Sequence, residues 1–379
     1  MSKTVLILGG SFGGLHVAHA LLKKNIKDVK VILVSKNTHF FWNLASVRAI
    51  IPGQIKDEDI FKPLESALSR YPAESWELVI GTATESDFDA KTVGITLADG
   101  SARTIPFDQL VLATGARSNP DTPWKAAGSY EQTLAALHAT SAAVVNAQHI
   151  VVGGAGGTGI EVAGELGYEY GKTKEIVLLS AGDKLANGHS VAAAAASELA
   201  KLNVTIKYNA RVVEVHPSAD NVNKTVVVLA NGETVTTDLY LPTTGQVPNT
   251  DYIPARFLSG EGDSATAAGT VVVDEFLRVA GTQNVWACGD VVSKPRAGFF
   301  ITQKQAASVA KNVEAALAGQ QPAVAKGPPA DIFACAVGRG RGVGRINNSI
   351  KLPSLAVWLS KGRNLAIPML KGYIDGSVA

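Results

Sequence analysis

Three glycines in the stretch GGAGGTG could hold a phosphate group with backbone atoms alone. Gly154, Gly156 and Gly159 follow the G-x-G-x-x-G spacing. In that pattern the first glycine makes a tight turn, the second lets the backbone approach a pyrophosphate, and the third lets helix and strand pack closely. An apolar run precedes the turn and a helical pattern follows it, so the N–H groups of the helix N-terminus would face the phosphates. The stretch predicts a dinucleotide site, although an ordinary glycine-rich turn shares the spacing.

A similar turn, GGSFGG, follows the first apolar run of the chain. Its middle position holds serine, whose side chain takes up room but can donate a hydrogen bond to a phosphate oxygen. The residues of this turn are Gly9, Gly10, Ser11, Phe12, Gly13 and Gly14. With the helix and the buried strand that follow, the turn completes a βαβ unit and predicts a second dinucleotide site.

Two short segments, LATG and ACGD, end predicted strands at the carboxyl edge of a sheet, where open α/β folds bind ligands. An aspartate after a glycine at this edge could hold the ribityl hydroxyl groups of a flavin, and a simple Gly-Asp turn is the alternative. A helix that begins near Phe299 could point its positive end at the flavin. The predicted contacts here are Ala113, Thr114, Gly115, Gly289 and Asp290.

The elements around these turns repeat. Each half of the chain has a βαβ unit, then antiparallel strands with a hairpin turn at Asp99-Gly100 or Asn231-Gly232, then a strand that ends in ATG or TTG. This repeat predicts an α/β protein with two Rossmann-type dinucleotide-binding domains, followed by a small C-terminal domain.

Composition excludes several classes of protein. Hydrophobic residues make up 46% and charged residues 18%, which is typical of a globular chain, and a net charge of +2 makes nucleic acid an unlikely partner. Cys288 and Cys335 lie far apart and no carboxylate cluster supports His16 and His19, so we expect no disulfide scaffold and no metal site. Cys288 is predicted to be a small buried core residue rather than a thiol catalyst. Trp42 is either a core residue or a wall of the flavin site.

The ends of the chain bear on location. The start MSKT leaves no room for a targeting peptide, Ser2 stands where N-myristoylation needs glycine, and no apolar run reaches the roughly 20 residues of a membrane span. We expect a cytoplasmic protein. The basic tail has Leu355, Trp358, Leu359 and Ala366 on one helical face. Two interpretations of this tail stay open. In one it contacts a membrane peripherally, such as the mitochondrial outer membrane or a lipid droplet, and in the other it is a docked helix whose basic face is solvated.

Over essentially its full length the chain resembles the two-dinucleotide-binding-domain flavoproteins of the glutathione-reductase-like FAD/NAD(P) fold. Within them it is similar to the AMID or ferroptosis-suppressor-protein-like group of apoptosis-inducing-factor-like proteins. The resemblance implies that the first turn holds FAD and the second holds NAD(P)H. It also implies an FAD-binding domain at 1–120 and 250–325, an NAD(P)H-binding domain at 121–249 and a C-terminal domain at 326–379.

Three segments carry the likeness to that group: HFFWNLASVRAI, FACAVGRGRGVGRI and WLSKGRNL. By this resemblance Arg48 contacts FAD and Lys361 approaches the active site. The resemblance also implies that Val79 offers backbone contacts to adenine, that Glu161 lies near the nicotinamide, and that Gly245 belongs to a loop that joins the domains.

The chain departs from the family pattern at two strand ends. Ser35, beside Lys36, stands where an acid usually binds the adenosine ribose, and both are predicted cofactor contacts. Ser180 replaces the corresponding acid in the second domain. Since an acid there repels a 2′-phosphate, its absence, with Lys184 nearby, predicts that NADPH is accepted as well as NADH.

The resulting hypothesis is an FAD-dependent NAD(P)H oxidoreductase that passes electrons to a quinone-type acceptor or to oxygen, with Lys361 and Glu161 as catalytic residues. The segment HFFWNLASVRAI, which is similar to the flavin-side loop of the group, has no CxxC, and this argues against a disulfide reductase. Two alternatives stay open: an FAD-dependent biosynthetic oxidase of a small metabolite, and a redox-sensing signalling flavoprotein. The intact second turn argues against the former.

Overall fold

The structure, a computed structural model, describes residues 2–118, 120, 122–188, 190–260, 269–293, 298–347 and 349–379. Short and long helices alternate with strands along the chain. The helices are α1 Phe12–Lys24, α2 Ser46–Ala49, α3 Asp57–Ile60, α4 Leu64–Leu68, α5 Tyr130–Asn146, α6 Gly157–Tyr170, α7 Ala192–Ala200, α8 Phe299–Leu317, α9 Ser354–Val357 and α10 Leu370–Ile374.

The strands of the described residues are parallel and antiparallel, and the antiparallel ones follow each βαβ unit and recur near the C-terminus. They are β1 Lys3–Leu8, β2 Val29–Ser35, β3 His39–Phe41, β4 Phe61–Pro63, β5 Trp76–Asp87, β6 Thr92–Leu97, β7 Ala102–Pro106, β8 Gln109–Leu112, β9 Ala116–Ser118, β10 His149–Gly153, β11 Glu175–Leu179, β12 Val204–Lys207, β13 Val212–Pro217, β14 Thr225–Leu229, β15 Thr234–Thr237, β16 Leu239–Pro242, β17 Gln246–Pro248, β18 Val285–Ala287, β19 Ile332–Val337, β20 Arg341–Ile346 and β21 Ile350–Leu352.

The larger sheet has the strand order β18-β8-β1-β2-β5-β6-β7. Its first five strands pair in parallel, and β5, β6 and β7 continue as an antiparallel meander. The run VLIL is buried on both faces, as expected for a central parallel strand covered by helices. Because β8 and β18 are neighbours in space, everything between them leaves this sheet and returns to it.

The smaller parallel sheet lies in that excursion, with the order β12-β11-β10-β16. A three-stranded antiparallel sheet, β13-β14-β15, precedes its last strand. Both hairpin turns have the glycine the sequence predicts, since Gly100 and Gly232 have φ of +84° and +85°. The segment that leaves the larger sheet and the segment that returns to it form a two-stranded antiparallel ribbon, in which β9 pairs with β17. The predicted α/β fold with two Rossmann-type units is confirmed.

The C-terminal segment forms an antiparallel sheet, β19-β20-β21, followed by α9 and a π-helical turn over Trp358–Gly362. The Val357 side chain packs α9 against β20 at two glycines. An added Cβ at Gly342 or Gly344 would lie only 2.5 or 2.8 Å from that side chain. The sequence predicts that Leu355, Trp358, Leu359 and Ala366 share one apolar helical face, but their burial in the structure differs. Leu355 and Leu359 are 64% and 56% exposed, whereas Ala366 is buried.

Within the described ranges, no helix combines the length and the apolar character that crossing a membrane requires.

Two buried histidines of α1 couple stability to pH. His19 is satisfied in its neutral form, since Nε2 donates to the Tyr373 carbonyl at 2.7 Å and Nδ1 accepts from the Tyr71 hydroxyl at 2.8 Å. The Nδ1 atom of His16 has no hydrogen-bond partner among the described residues. Burial lowers the pKa of each histidine from 6.5 to about 4.

We predict that the free energy of unfolding falls as the pH drops from about 7 to about 5, by roughly 2 kcal/mol for each histidine. The sign follows because the unfolded chain binds protons below its pKa of 6.5 while the folded protein does not. Denaturant titration should show that His16→Leu removes about half of this dependence. The same change at the exposed His216 should leave it intact, and equal slopes in all three proteins would contradict the prediction.

Candidate functional site

A cavity of about 1040 Å³ opens where the carboxyl edges of the two parallel sheets face each other. Its wall includes the turn after β1, the ends of β8 and β18, the start of α6 and the C-terminal segment. The predicted site residues on this wall are Gly9, Gly10, Ser11, Phe12, Gly13, Ser35, Lys36, Ala113, Thr114, Gly115, Gly156, Glu161, Gly289, Asp290 and Lys361.

The turn after β1 has the geometry of a phosphate cradle. Gly9 has φ +111°, and a Cβ at Gly14 would lie 1.9 Å from the Gly9 carbonyl oxygen, so the strand and α1 touch through backbone alone. Ser11 caps α1 without a side-chain hydrogen bond to it. The first N–H groups of the helix therefore face the cavity without a capping side chain, as an FAD pyrophosphate requires.

The turn before α6 repeats these contacts. A Cβ at Gly159 would lie 1.8 Å from the Gly154 carbonyl oxygen, whereas a Cβ at Gly156 would meet no protein atom within 4 Å. Gly156 also caps α6 without a side chain. The two outer glycines hold the strand against the helix, and the middle one leaves space at the cavity for a second dinucleotide.

The ends of β2 and β11 carry the two serines that replace acids. The Ser35 hydroxyl donates to the Asn37 carbonyl at 2.7 Å and lies on the cavity wall. The Ser180 hydroxyl donates to the Lys184 carbonyl at 3.0 Å and is buried away from the cavity. Neither serine places a negative charge at its strand end.

The ends of β8 and β18 meet at the centre of the cavity. The Thr114 hydroxyl donates to the Asn249 carbonyl at 2.7 Å, which ties β8 to the returning chain. Gly289 donates its N–H to Gln305 of α8 at 2.8 Å. The Asp290 carboxylate forms an ion pair with Lys125, and both side chains are about one-fifth exposed. The pair therefore lies within the cavity wall.

Glu161 and Lys361 face each other across the opening of the second turn. Their side chains lie 2.6 Å apart, Glu161 accepts the N–H of Ala336 at 2.9 Å, and Lys361 donates to the Ala334 carbonyl at 3.2 Å. Burial alone would lower the pKa of Lys361, but the Glu161 carboxylate outweighs it and raises that pKa. The ammonium is therefore held charged at the cavity wall.

Arg48 lies outside the cavity wall. Its guanidinium binds the buried Glu165 carboxylate at 2.8 and 3.0 Å and donates to the carbonyls of Gly362 and Arg363. Burial raises the pKa of Glu165, and Arg48 only partly offsets this. These bonds join α2 and α6 to the turn that carries Lys361, and the FAD contact of Arg48 stays a prediction.

Other predicted contacts also lie off the wall. Val79 is buried within β5, and Trp42 is buried with its indole N–H donated to the Leu365 carbonyl, which agrees with its core reading. The remaining residues outside the wall are Gly14, Gly154, Gly159, Ser180 and Gly245. Gly14 and Gly159 act one layer behind the cavity, where they let strand and helix approach through backbone atoms.

Sequence reasoning missed Lys125, Trp124 and Arg117, which also line the cavity. All three lie in or beside the crossover between the two sheets, where no motif or periodicity marks a functional position. Only the three-dimensional pairing of Lys125 with Asp290 identifies it.

The two thiols lie near the site but are buried and free. Burial raises the pKa of Cys288 to about 12 and raises that of Cys335 as well. Each is therefore held as a neutral thiol rather than as the thiolate that thiol chemistry requires. Among the described residues, no three His, Cys, Asp or Glu side chains group as metal ligands.

This arrangement of two cradles over one cavity defines a flavin- and nicotinamide-dependent oxidoreductase. Residues 3–316 match the pyridine nucleotide-disulphide oxidoreductase family, to which the chain belongs. Its cofactors are FAD and NAD(P)H, and its predicted membership of the AMID-like, apoptosis-inducing-factor-like group is confirmed.

Three comparisons illustrate the relationship. The chain is 36% identical to oxidoreductase ptaL of Pestalotiopsis fici, covering 99% of this chain and 100% of that one. It is 28% identical to human ferroptosis suppressor protein 1, covering 96% and 93%. Its fold is similar to that of the sulfide:quinone oxidoreductase of Aquifex aeolicus, with a TM-score of 0.75, 19% identity and coverage of 100% and 93%.

Glu161→Gln tests the charge on Lys361. Without the carboxylate, burial becomes the main influence on the pKa of Lys361 and lowers it, so the ammonium should lose its proton at a lower pH than in the wild type. We predict that the alkaline decline of turnover moves to lower pH in this variant, as measured by a pH–rate profile. Glu169→Gln, on the same helix but off the cavity wall, is the control. Superimposable profiles for Glu161→Gln and wild type would exclude this role.

Proposed function

We propose that the protein passes electrons from NAD(P)H through FAD to a quinone-type acceptor, with oxygen as a slower one. The observation that carries this proposal is the make-up of the cavity wall, which has the Lys361 ammonium and also the apolar side chains of Phe299, Phe300, Phe333 and Met369. A flat, apolar acceptor with carbonyl oxygens fits such a surface, since the rings can pack against its faces and the cation can attract an oxygen.

The residues divide the work. FAD, when bound, supplies the ring that takes up a hydride and releases electrons. The backbone of Gly9–Gly14 holds the pyrophosphate, Asp290 accepts hydrogen bonds from ribityl hydroxyls, and Ser35 lies near the adenosine ribose. Gly154–Gly159 holds NAD(P)H, and Val79 contacts adenine through its backbone. Glu161 keeps Lys361 charged and in place, and Lys361 attracts the acceptor oxygen.

The proposed domain boundaries are 1–120 and 250–325 for FAD, 121–249 for NAD(P)H and 326–379 for the C-terminal domain. The ribbon of β9 and β17 supports them because both crossovers run through it. The proposed location is cytoplasmic with peripheral membrane contact, and the exposed Leu355 and Leu359 support the membrane contact.

The acceptor can be tested by anaerobic reduction with NADH followed by rapid mixing. We predict that short-chain ubiquinone and menadione reoxidise the flavin at least about tenfold faster than air-saturated buffer. Lys361→Ala should slow quinone reduction by about tenfold or more, while Lys351→Ala, an exposed charge of β21, should not. Oxygen as the faster oxidant, or equal rates in both variants, would refute the assignment.

The nicotinamide preference follows from Ser180. Because no acid stands at the end of β11 to repel a 2′-phosphate, we predict values of kcat/KM for NADPH and NADH within about tenfold, or roughly 1.4 kcal/mol. Ser180→Asp should restore that repulsion and shift the ratio toward NADH. Discrimination of about a hundredfold in the wild type would assign the choice to another residue.

A further inference from the structure

The dipeptide Trp124-Lys125 lies in the crossover from the first sheet to the second and contacts both. The Trp124 indole N–H donates to the Pro242 carbonyl at the end of β16, at 2.7 Å. Its own carbonyl accepts from the Asn43 side chain of the flavin-side loop, at 2.8 Å. These bonds fix the backbone beside Lys125 in space.

From that fixed point Lys125 extends to Asp290. The ammonium binds one carboxylate oxygen, and both side chains line the cavity. Asp290 is also the group proposed above to accept the ribityl hydroxyls. Lys125 therefore holds the carboxylate that the flavin has to meet.

Charge explains why this pairing matters. The cavity has to accept the anionic diphosphate of FAD, and an unpaired carboxylate on its wall would repel that charge. A carboxylate removed from most of the solvent without a cation would also take up a proton or turn toward water. The ammonium of Lys125 counters all three effects while leaving the second carboxylate oxygen for hydroxyl donors.

Arg117 and Lys361, which also line the wall, have different partners. Arg117 pairs with Asp251, at 2.9 Å, and Lys361 pairs with Glu161. Of these three ion pairs, that of Lys125 is the one that includes a proposed FAD ligand.

We propose that Lys125 is a positioning residue of the FAD site, acting through Asp290. The proposal rests on the placement of FAD described above. Since its action passes through one carboxylate, its effect on FAD affinity should disappear when that carboxylate is neutralised.

The test is FAD binding to the stripped apoprotein, followed by flavin fluorescence, with the melting temperature of each apoprotein as a folding control. Lys125→Met should weaken binding about tenfold and Asp290→Asn by at least as much. The double variant should bind within about threefold of Asp290→Asn alone, because the two effects are not additive. Lys125→Arg keeps the charge and should bind within about threefold of wild type.

Lys311→Met is the matched control, since it removes an exposed lysine of α8 that is absent from the wall and should leave affinity unchanged. Wild-type affinity in Lys125→Met, multiplying effects in the double variant, or binding by Lys125→Arg as weak as by Lys125→Met would each overturn the role of Lys125. Should Lys125→Met not fold, Lys125→Gln takes its place in the cycle. Wild-type affinity in Asp290→Asn would overturn the FAD placement itself and the role of Lys125 with it.

Discussion

Backbone contact between strand and helix is the constraint on which the site depends. At Gly14 and at Gly159 a single added carbon would overlap the carbonyl oxygen of the glycine that opens the turn. Any other residue would push α1 or α6 away from its strand and aim the helix N-terminus elsewhere. Two such contacts set the direction of both helix dipoles, and each sheet then places its carboxyl edge at the same cavity.

Buried ion pairs join the remaining segments to this frame. Glu161 and Glu165 both lie on α6, and their partners Lys361 and Arg48 come from the C-terminal segment and the flavin-side loop. A buried carboxylate without a cation is strongly destabilising, so each pair requires its two segments to come together. The C-terminal segment is thereby part of the site rather than an appendage to it.

The parts predictable from sequence are those with a local cause. The two glycine turns, the hairpins at Gly100 and Gly232 and the buried parallel strands follow from backbone and periodicity rules. Lys125 and the partners of Arg48 could not be found in this way, because the choice of a side-chain partner depends on segments far apart in the chain. The π turn at Trp358–Gly362 could not be predicted either, because it departs from the helical period on which the apolar pattern rests.

The state of the thiols limits how electrons can leave. In the disulfide-reducing version of this chemistry a cysteine pair carries electrons away from the flavin, but here Cys288 and Cys335 are free, buried and neutral. An acceptor must then come to the flavin itself and enter the cavity that the C-terminal segment partly encloses. Lys361 belongs to that segment, and its partner Glu161 lies on α6, the helix that follows the second glycine turn. The proposed acceptor wall and the nicotinamide cradle therefore share this pair of side chains. Nicotinamide and acceptor would thus meet the same pair of charged side chains.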